Sequence, residues 1–393
     1  MVARYYTKVR KVRYMMNQRL LHTPEGVRDI YGKEYANKRN VEDRLADRIA
    51  AFGYEEIQTP TFEFFDVFSR EIGTTPSKDL YKFFDKEGNT LVLRPDFTPS
   101  IARCVAKYFR EEKMPLRFAY KGNTFINTSN LQGKLKEVTQ MGAELINDPS
   151  VEADAEIIAL VVTLLKSAGL KEFQVSVGQV EYFKGLCQEA GLDEETELDL
   201  RACISGKNYF AAQELLSERN VADPYRERLL KVADLFNSMT SLEDARQLVN
   251  NKRSLAAIER LEKLDKVLQL YGVQDYVSYD LGMLSKYNYY TGMIFKAYTY
   301  GVGNAVVTGG RYDSLVGHFG KDAAAAVGFT IVIDDIMEAL SRQKTQNSEE
   351  EVVLMHYHPG QDGSFANALK EAEEMRKAGK KVALIPAEEE GRF

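Results

Sequence analysis

One short segment of the sequence carries polar side chains at a spacing suited to a binding site. Residues 138–144 read Val-Thr-Gln-Met-Gly-Ala-Glu. Side chains two positions apart lie on the same face of a β-strand, so Gln140 and Glu144 are expected to point into one cavity. The alternative is a buried glutamate that simply pairs with a tyrosine inside the core.

A second candidate group is the guanidinium of Arg311, which stands in the string Gly-Gly-Arg-Tyr-Asp at 309–313. Arginine presents a planar fork of donors that suits a phosphate or a carboxylate. Arg311 is therefore a candidate for ligand binding, and the open alternative is an ion pair with a carboxylate of the protein or a place at an interface. The adjacent glycines, Gly309 and Gly310, predict a turn at a strand end.

The sequence gives no support for a metal site or a cofactor site. The histidines and cysteines show no spacing typical of metal ligands. No Gly-Lys-Ser/Thr loop that would cradle a phosphate is found. We therefore expect no metal and no cofactor. The residues concerned are His22, His318, His356 and His358, with Cys104, Cys187 and Cys203.

Composition limits the classes of partner. The chain has 393 residues, 44% of them hydrophobic, and a formal net charge of −6. Residues 1–19 hold six basic side chains and no acidic one, so the remainder carries −12. Nucleic-acid binding rests on neutralising phosphates, and so acidic a body argues against tRNA as a partner. No run of 18 apolar residues exists, which argues against a membrane span, and the few cysteines favour a cytoplasmic location.

The elements that must position these side chains follow from periodicity. Val41, Leu45 and Ile49 recur at helical spacing. Strands, helices, an insertion and further strands indicate an α+β fold on an antiparallel sheet flanked by helices. Helices are predicted at 34–52, 99–109, 151–168, 334–342 and 364–378. Strands are predicted at 54–58, 81–84, 90–93, 116–127, 136–146, 173–177, 276–280, 289–299, 303–308, 352–356 and 381–385.

The same pattern predicts a domain organisation. Residues 1–19 form a basic tail that we expect to be disordered, and residues 20–341 form the core. Within the core, 180–273 are rich in helix and form an insertion. The polar residues 342–351 are a linker. Residues 352–393 form a small β-α-β piece that is too short to be readily stable on its own.

Five strings in order resemble the histidyl-tRNA synthetase family of class II aminoacyl-tRNA synthetases, and together they run from about residue 20 to 340. Two of them are Arg-Pro-Asp-Phe-Thr, close to that family's Arg-Pro-Glu-Gly-Thr, and a string ending at Pro60 that is similar to class II motif 1. The strings begin at Thr23, Phe52, Leu93, Asn288 and Gly309. The resemblance implies the class II fold, with a dimer formed through the motif 1 region.

Three departures separate this chain from active synthetases. The family carries arginines that bind ATP where this chain has Ile126, Ser285 and Asp335. Each charge-assisted hydrogen bond contributes roughly 1.5–3 kcal/mol, so three losses abolish triphosphate binding. This pattern resembles the regulatory-subunit family of ATP phosphoribosyltransferase, whose members are non-catalytic. The resemblance implies no catalytic residues here and assembly with a short-form ATP phosphoribosyltransferase catalytic subunit in histidine biosynthesis.

The resemblance also implies a pocket for the effector L-histidine. The matching positions are Asp96, Thr98, Gln140, Glu144, Tyr289, Tyr290 and Arg311. The first three would hold the α-ammonium group, and Glu144 and Tyr290 would bind the two imidazole nitrogens. Loss of the arginine at Ser285 leaves the ligand carboxylate short of a cation unless Lys286 substitutes. Two alternatives stay open, a divergent histidyl-tRNA synthetase and a stand-alone sensor of histidine or tRNA.

Overall fold

The computed structural model describes residues 21–68, 75–128, 134–232, 240–284, 289–320, 322–344 and 352–387. The predicted tail at 1–19 and residues 345–351 of the predicted linker at 342–351 lie outside these residues. The chain divides into two compact units. The larger contains 38–345 together with the part before residue 32, and the smaller contains 32–37 and the part from 346 onward.

An eight-stranded sheet forms the centre of the larger unit. Its spatial order is β1-β5-β6-β11-β10-β9-β7-β8. The strands are β1 (Glu55–Glu56), β5 (Leu116–Phe125), β6 (Glu137–Ile146), β7 (Phe173–Gln179), β8 (Val277–Tyr279), β9 (Met293–Thr299), β10 (Val307–Arg311) and β11 (Ala326–Val332). Numbers β2 to β4 belong to a separate sheet described below.

The sheet is mixed, where the sequence predicted an antiparallel one. Its five central pairings are antiparallel, as expected, but β1 pairs with β5 and β7 pairs with β8 in parallel. Each parallel pair is joined by a long connection containing helices, so both strands enter the sheet from the same end.

The structure differs from the sequence analysis at two strands of the core. The strand β11 was not predicted, because its sequence, Ala-Val-Gly-Phe-Thr-Ile-Val, lacks the alternation of a half-buried strand. It lies between β6 and β10, with most of its residues buried. The pair Gly309 and Gly310 lies inside β10, whereas the sequence predicted a turn there. Glycine is needed at both positions because an added Cβ would collide with atoms of the neighbouring chain segments.

Helices pack on both sides of this sheet. In α1 (Gly32–Ala51) the stripe of Val41, Leu45 and Ile49 is buried, as the periodicity predicted. The helix α3 (Val151–Ala168) begins at Ser150, whose hydroxyl accepts from the amide of Ala153, and lies within the main core. The described helix α10 (Ile333–Arg342) packs in the same core, whereas α2 (Thr98–Tyr108) packs on the opposite face, against Phe118 and Tyr120 of β5.

Six helices are described between β7 and β8. Side chains cap four of them at the N-terminus, those of Gln179, Asp193, Asn208 and Asn251, and Asp and Asn are common in this position. None of the described helices has the length and apolar character to cross a bilayer. The six are α4 (Val180–Glu189), α5 (Glu194–Ser205), α6 (Tyr209–Glu218), α7 (Asp223–Lys231), α8 (Thr240–Gln247) and α9 (Lys252–Tyr271).

A small three-stranded antiparallel sheet precedes α2. It contains β2 (Phe62–Phe64), β3 (Lys82–Phe84) and β4 (Thr90–Leu93), in the order β2-β4-β3. The chain leaves β4 through residues 94–97 and enters α2 directly. This sheet therefore sets the position of the residues that begin α2.

The residues described from 352 to 387 in the smaller unit form a β-α-β motif. Strands β12 (Val353–Tyr357) and β13 (Val382–Pro386) pair in parallel, and α11 (Ser364–Lys377) connects them. The helix packs on both strands through small side chains such as Ala368 and Ala372, which are 6% and 0% exposed.

Gly142 of β6 is tightly enclosed by atoms of the neighbouring strands. A Cβ added there would collide with the carbonyl oxygen of Phe329 and the hydroxyl of Tyr120. The Tyr120 hydroxyl also bonds to Thr330 Oγ1 at 2.6 Å. Glycine at position 142 therefore lets the Tyr120 side chain of β5 cross over β6 and reach β11.

We expect Gly142→Ala to lower the free energy of unfolding by about 1–3 kcal/mol, because the added methyl group overpacks a rigid sheet. Urea unfolding monitored by circular dichroism measures the change. The matched control is Gly303→Ala, where an added Cβ meets nothing within 4 Å. Equal stability of Gly142→Ala and the parent would contradict this account of the sheet.

Candidate functional site

A cavity of about 90 Å³ opens on the face of the main sheet where β6, β10 and β11 meet. The segment between β4 and α2 forms one wall, and Tyr289 and Tyr290, just before β9, form another. Six of the seven predicted site residues line it: Asp96, Thr98, Gln140, Glu144, Tyr289 and Tyr290. The spacing of Gln140 and Glu144 on β6 therefore brings both to one cavity.

Glu144 is the buried acid of the cavity, with only 1% of its surface exposed. The hydroxyl of Thr98 donates to Oε1 at 2.8 Å, and the hydroxyl of Tyr312 donates to Oε2. Across the sheet lies Gly328, and any Cβ there would overlap the Glu144 carboxyl group. The glycine in β11 is therefore a requirement for placing this acid.

Burial disfavours the charged form of both acids in the cavity. Burial raises the pKa of Glu144 from 4.5 to about 8, although the hydrogen bonds from Tyr312 and Thr98 lower it. Burial also raises the pKa of Asp96, against the opposing hydrogen bond from the Thr98 amide. A positively charged ligand would favour ionisation of both carboxyl groups, because the opposite charge stabilises their charged form.

Gln140 supplies an unused acceptor. Its Oε1 atom is buried and has no hydrogen-bond partner among the described residues. A buried acceptor without a partner costs roughly 1–3 kcal/mol, so a donor on a bound ligand would recover that free energy. Together with the Asp96 and Glu144 carboxyl groups, this acceptor favours a ligand that carries N–H groups.

Aromatic rings shape the rest of the cavity. The rings of Tyr289 and Tyr290 lie 4.6 Å apart, and Tyr312 meets Tyr289 edge-on at 6.0 Å. The ring of Tyr290 lies against Gly310, where a Cβ would stand 2.7 Å from it. These planar walls suit a flat ligand ring.

Tyr312 was missed as a site residue, although it lies in the Gly-Gly-Arg-Tyr-Asp string next to the residue that was chosen. It follows Arg311 directly, so alternation turns its side chain to the opposite face of the sheet, where it reaches Glu144 on β6. The string itself could have marked Tyr312 as a site residue. Its contact with Glu144 could not be predicted, because sequence spacing does not tell which residues of two different strands meet.

Arg311 does not line this cavity, and we correct its predicted role in histidine binding. Its guanidinium, in a residue 3% exposed, bonds to Asp154 on α3, with Nε to Oδ1 at 2.8 Å. It also donates to the backbone oxygens of Asp148 and Ser150 and to Asp313. Side-chain alternation along β10 points Arg311 toward α3. Its observed partner is therefore a carboxylate of the protein, which was the open alternative to ligand binding.

Of the three positions where the sequence analysis expected lost arginines, Ile126 and Asp335 are described, and neither carries a cation. Ile126 lines the cavity as an apolar side chain, and among all the described lining residues none is lysine or arginine. Asp335, on α10, has a pKa raised to about 6, first by burial and then by Glu338 and Asp334. Ser285 and Lys286 lie outside the described residues.

The neighbouring acid, Asp334, makes a structural tie. Its carboxylate accepts from Lys38 Nζ at 2.9 Å and from the Thr139 amide at 2.7 Å. Lys38 is itself 7% exposed and also donates to the Thr139 hydroxyl. This network joins α1, β6 and α10 beside the cavity, so Asp334 does more than favour the start of a helix.

Comparison with known proteins agrees with this architecture. Residues 26–336 match the family described as histidyl-tRNA synthetase. An ATP phosphoribosyltransferase regulatory subunit from Acetivibrio thermocellus is 42% identical over 365 residues, 93% of this chain and 86% of the relative. The protein of that name from Thermoanaerobacter pseudethanolicus is 38% identical over 370 residues, 94% of this chain and 95% of the relative.

Solved structures give the same result. The crystal structure of an ATP phosphoribosyltransferase regulatory subunit/histidyl-tRNA synthetase from Bacillus halodurans C superposes with a TM-score of 0.83 at 34% identity, covering 93% of this chain and 92% of the other. Histidyl-tRNA synthetase from Nostoc sp. PCC 7120 shares the fold, with a TM-score of 0.77 at 18% identity, covering 95% and 87%. The chain belongs to the histidyl-tRNA synthetase-like family, among the ATP phosphoribosyltransferase regulatory subunits.

The raised pKa of Glu144 makes stability depend on pH. Between pH 4.5 and about 8 the folded protein keeps the Glu144 proton that the unfolded chain has lost. The folded state therefore binds more protons, and stability falls as pH rises through this interval. We expect the parent to lose stability relative to Glu144→Gln between pH 5.5 and 8, measured by urea unfolding of both proteins. A difference that is constant with pH would contradict burial of a neutral carboxyl group.

Proposed function

We propose that this chain is a non-catalytic regulatory subunit that acts with a short-form ATP phosphoribosyltransferase catalytic subunit in the cytoplasm. In this role it is required for the first step of histidine biosynthesis and carries feedback control by L-histidine. The proposal draws on the relatives that bear this name and on the character of the cavity. The catalytic chain supplies the chemistry, and this chain supplies a ligand-responsive partner.

The observation that carries the proposal is an acidic, amino-acid-sized cavity without a cation among its described lining residues. A triphosphate needs positive groups around its oxygens, and carboxyl groups repel it. The same carboxyl groups suit an ammonium or imidazole nitrogen. The cavity chemistry therefore supports binding of an amino acid and opposes its activation with ATP.

Histidine fits the arrangement of donors and acceptors. The α-ammonium would lie between Asp96, Thr98 and Gln140. There it would donate to the Gln140 Oε1 atom, which has no hydrogen-bond partner among the described residues. The imidazole ring would lie along the tyrosine walls, with one nitrogen at Glu144 and the other at Tyr290. Because both nitrogens are then bonded, a ligand lacking either would leave a buried polar group without its partner.

Regulation requires two states of the assembly that bind histidine differently. If histidine favours one arrangement of the catalytic and regulatory chains, the catalytic rate follows the population of that arrangement. By linkage, the factor by which histidine changes the affinity between the two chains must equal the factor by which the catalytic chain changes the affinity of this chain for histidine. We further propose that the chain forms a dimer through the region around Pro60, and that it does not bind tRNA.

Glu144→Ala should weaken histidine binding at least tenfold, because a hydrogen bond to a charged group contributes about 1.5–3 kcal/mol. Isothermal titration calorimetry with L-histidine measures the dissociation constant. The matched control is Glu338→Ala, which removes an exposed glutamate that pairs with Arg342. If both variants bind like the parent, the cavity is not the histidine site.

The catalytic role is tested by reconstitution. Mixed with a short-form catalytic subunit, the chain should co-elute with it in size-exclusion chromatography and raise the rate of phosphoribosyl-ATP formation. Alone, it should show no histidine-dependent exchange of pyrophosphate with ATP, since the cavity lacks the charge to hold a triphosphate. Measurable exchange would restore the synthetase alternative, and failure to co-elute or activate would remove the regulatory one.

A further inference from the structure

The hydrogen-bond donors around Glu144 are already used within the protein. The hydroxyl of Thr98 donates to Glu144 at 2.8 Å, and the hydroxyl of Tyr312 donates to the same carboxyl group. The backbone amide of Thr98 donates to Asp96 Oδ1 at 3.2 Å. Acceptors remain for a ligand, on the two carboxyl groups and on the buried Oε1 atom of Gln140. A ligand group that donates hydrogen bonds is therefore bound better here than one that accepts them.

Arg94 precedes Asp96 by two residues, yet its guanidinium does not line the cavity. Its Nε donates to the carbonyl oxygen of Asn123 at 2.8 Å, and one terminal nitrogen donates to the carbonyl oxygen of Thr59 at 3.0 Å. The guanidinium also lies 3.9 Å from the ring centre of Phe97. Backbone carbonyls and an aromatic ring thus hold this cation, and it is not available to a ligand in the cavity.

Two further buried cations near the cavity are neutralised by carboxylates. Lys38 binds Asp334 at 2.9 Å, and Arg311 binds Asp154 with its Nε at 2.8 Å. A cation in such a pair cannot turn to a ligand without leaving a buried carboxylate alone, which is strongly unfavourable. Both pairs therefore belong to the protein and contribute no free positive charge to the cavity.

Lys296 of β9 is one strand away from the cavity wall. In the register of the sheet it stands opposite Thr308, which lines the cavity. Its charge acts on Asp280, because burial raises the pKa of that carboxyl group and Lys296 lowers it. Lys296 is not among the described lining residues, and Asp280 already draws on its charge.

An amino acid brings a carboxylate into the cavity together with its ammonium group. Taking a carboxylate out of water is costly unless a cation or several donors receive it. In this cavity it would meet two carboxyl groups and an amide acceptor, with no lysine or arginine among the described lining residues. The ammonium group and the ring N–H meet those same acceptors favourably. The charges of the cavity thus bind one end of the ligand and oppose the other.

We propose that the cavity recognises the ammonium group and the ring nitrogens of its ligand and does not recognise a carboxylate. The ligand class is then that of imidazolyl alkylamines. It includes L-histidine and also L-histidinol, in which a hydroxymethyl group replaces the carboxylate. The proposal rests on the histidine pocket proposed above and narrows the chemistry to which that pocket responds. A regulatory chain of this kind responds to the amino alcohol as it does to the amino acid.

Three ligands that differ by one group test the proposal on the purified chain, by isothermal titration calorimetry at neutral pH. L-Histidine carries both charged groups, L-histidinol lacks the carboxylate, and imidazolelactate has a hydroxyl in place of the ammonium group. We expect the dissociation constant of L-histidinol to equal that of L-histidine or to lie below it. Imidazolelactate should bind at least tenfold more weakly than L-histidine, because it loses the charge-assisted hydrogen bonds of the ammonium group.

The variant Ile126→Arg adds a cation to the wall. Ile126 lines the cavity, and the amide of Phe125 donates to the carbonyl oxygen of Arg94 at 3.0 Å, which sets Ile126 beside the segment that carries Asp96. The ammonium group is common to both ligands, so the ratio of the L-histidinol to the L-histidine dissociation constant isolates the carboxylate. We expect this ratio to rise at least tenfold in Ile126→Arg. The matched control is Gln213→Arg, which adds the same charge at an exposed position of α6 and should leave the ratio unchanged.

The proposal is overturned if the parent binds L-histidine at least tenfold more tightly than L-histidinol, or if imidazolelactate binds as tightly as L-histidine. It is also overturned if a folded Ile126→Arg variant keeps the ratio of the parent. The ligand series on the parent decides alone if that variant does not fold. Weak binding of L-histidinol alone leaves the proposed function standing, whereas binding of none of the three ligands removes the histidine pocket and this inference together.

Discussion

The burial of one carboxyl group, that of Glu144, constrains the whole cavity. A carboxyl group at 1% exposure is tolerable only if it is neutral or hydrogen-bonded, and the structure provides two hydroxyl donors, from Thr98 and Tyr312. Those donors arrive from α2 and from the segment after β10. Their meeting at Glu144 therefore ties the start of a helix to the centre of the sheet, and it needs a glycine at position 328 to leave room.

The same constraint explains the electrostatic character of the site. With Asp96 beside Glu144 and no described cation on the wall, the cavity disfavours the charged form of both carboxyl groups. A positively charged ligand reverses that preference, while a triphosphate is repelled. Arginine is present nearby in Arg311, but its guanidinium is already neutralised by Asp154 and by backbone oxygens. The fold thus keeps an arginine for structure while the cavity stays acidic.

Most elements of the larger unit were predictable because local pattern determined them. The stripe of Val41, Leu45 and Ile49, and the helix from 151 to 168, follow from periodicity and capping alone. The strand β11 was not predictable in this way, because a central strand buried on both faces has no polar alternation. The parallel pairings of β1 and β8 depend on long connections, whose path no local pattern records.

By itself, the sequence determined which side chains of β6 share a face, because the geometry of a strand fixes that. It also determined the family, through strings whose order is specific. Only the tertiary structure decided that Arg311 turns to Asp154, that Tyr312 reaches Glu144, and that Arg94 binds backbone oxygens instead of lining the cavity. Each of these depends on which strands become neighbours and in what register, and that is settled by packing across the whole sheet.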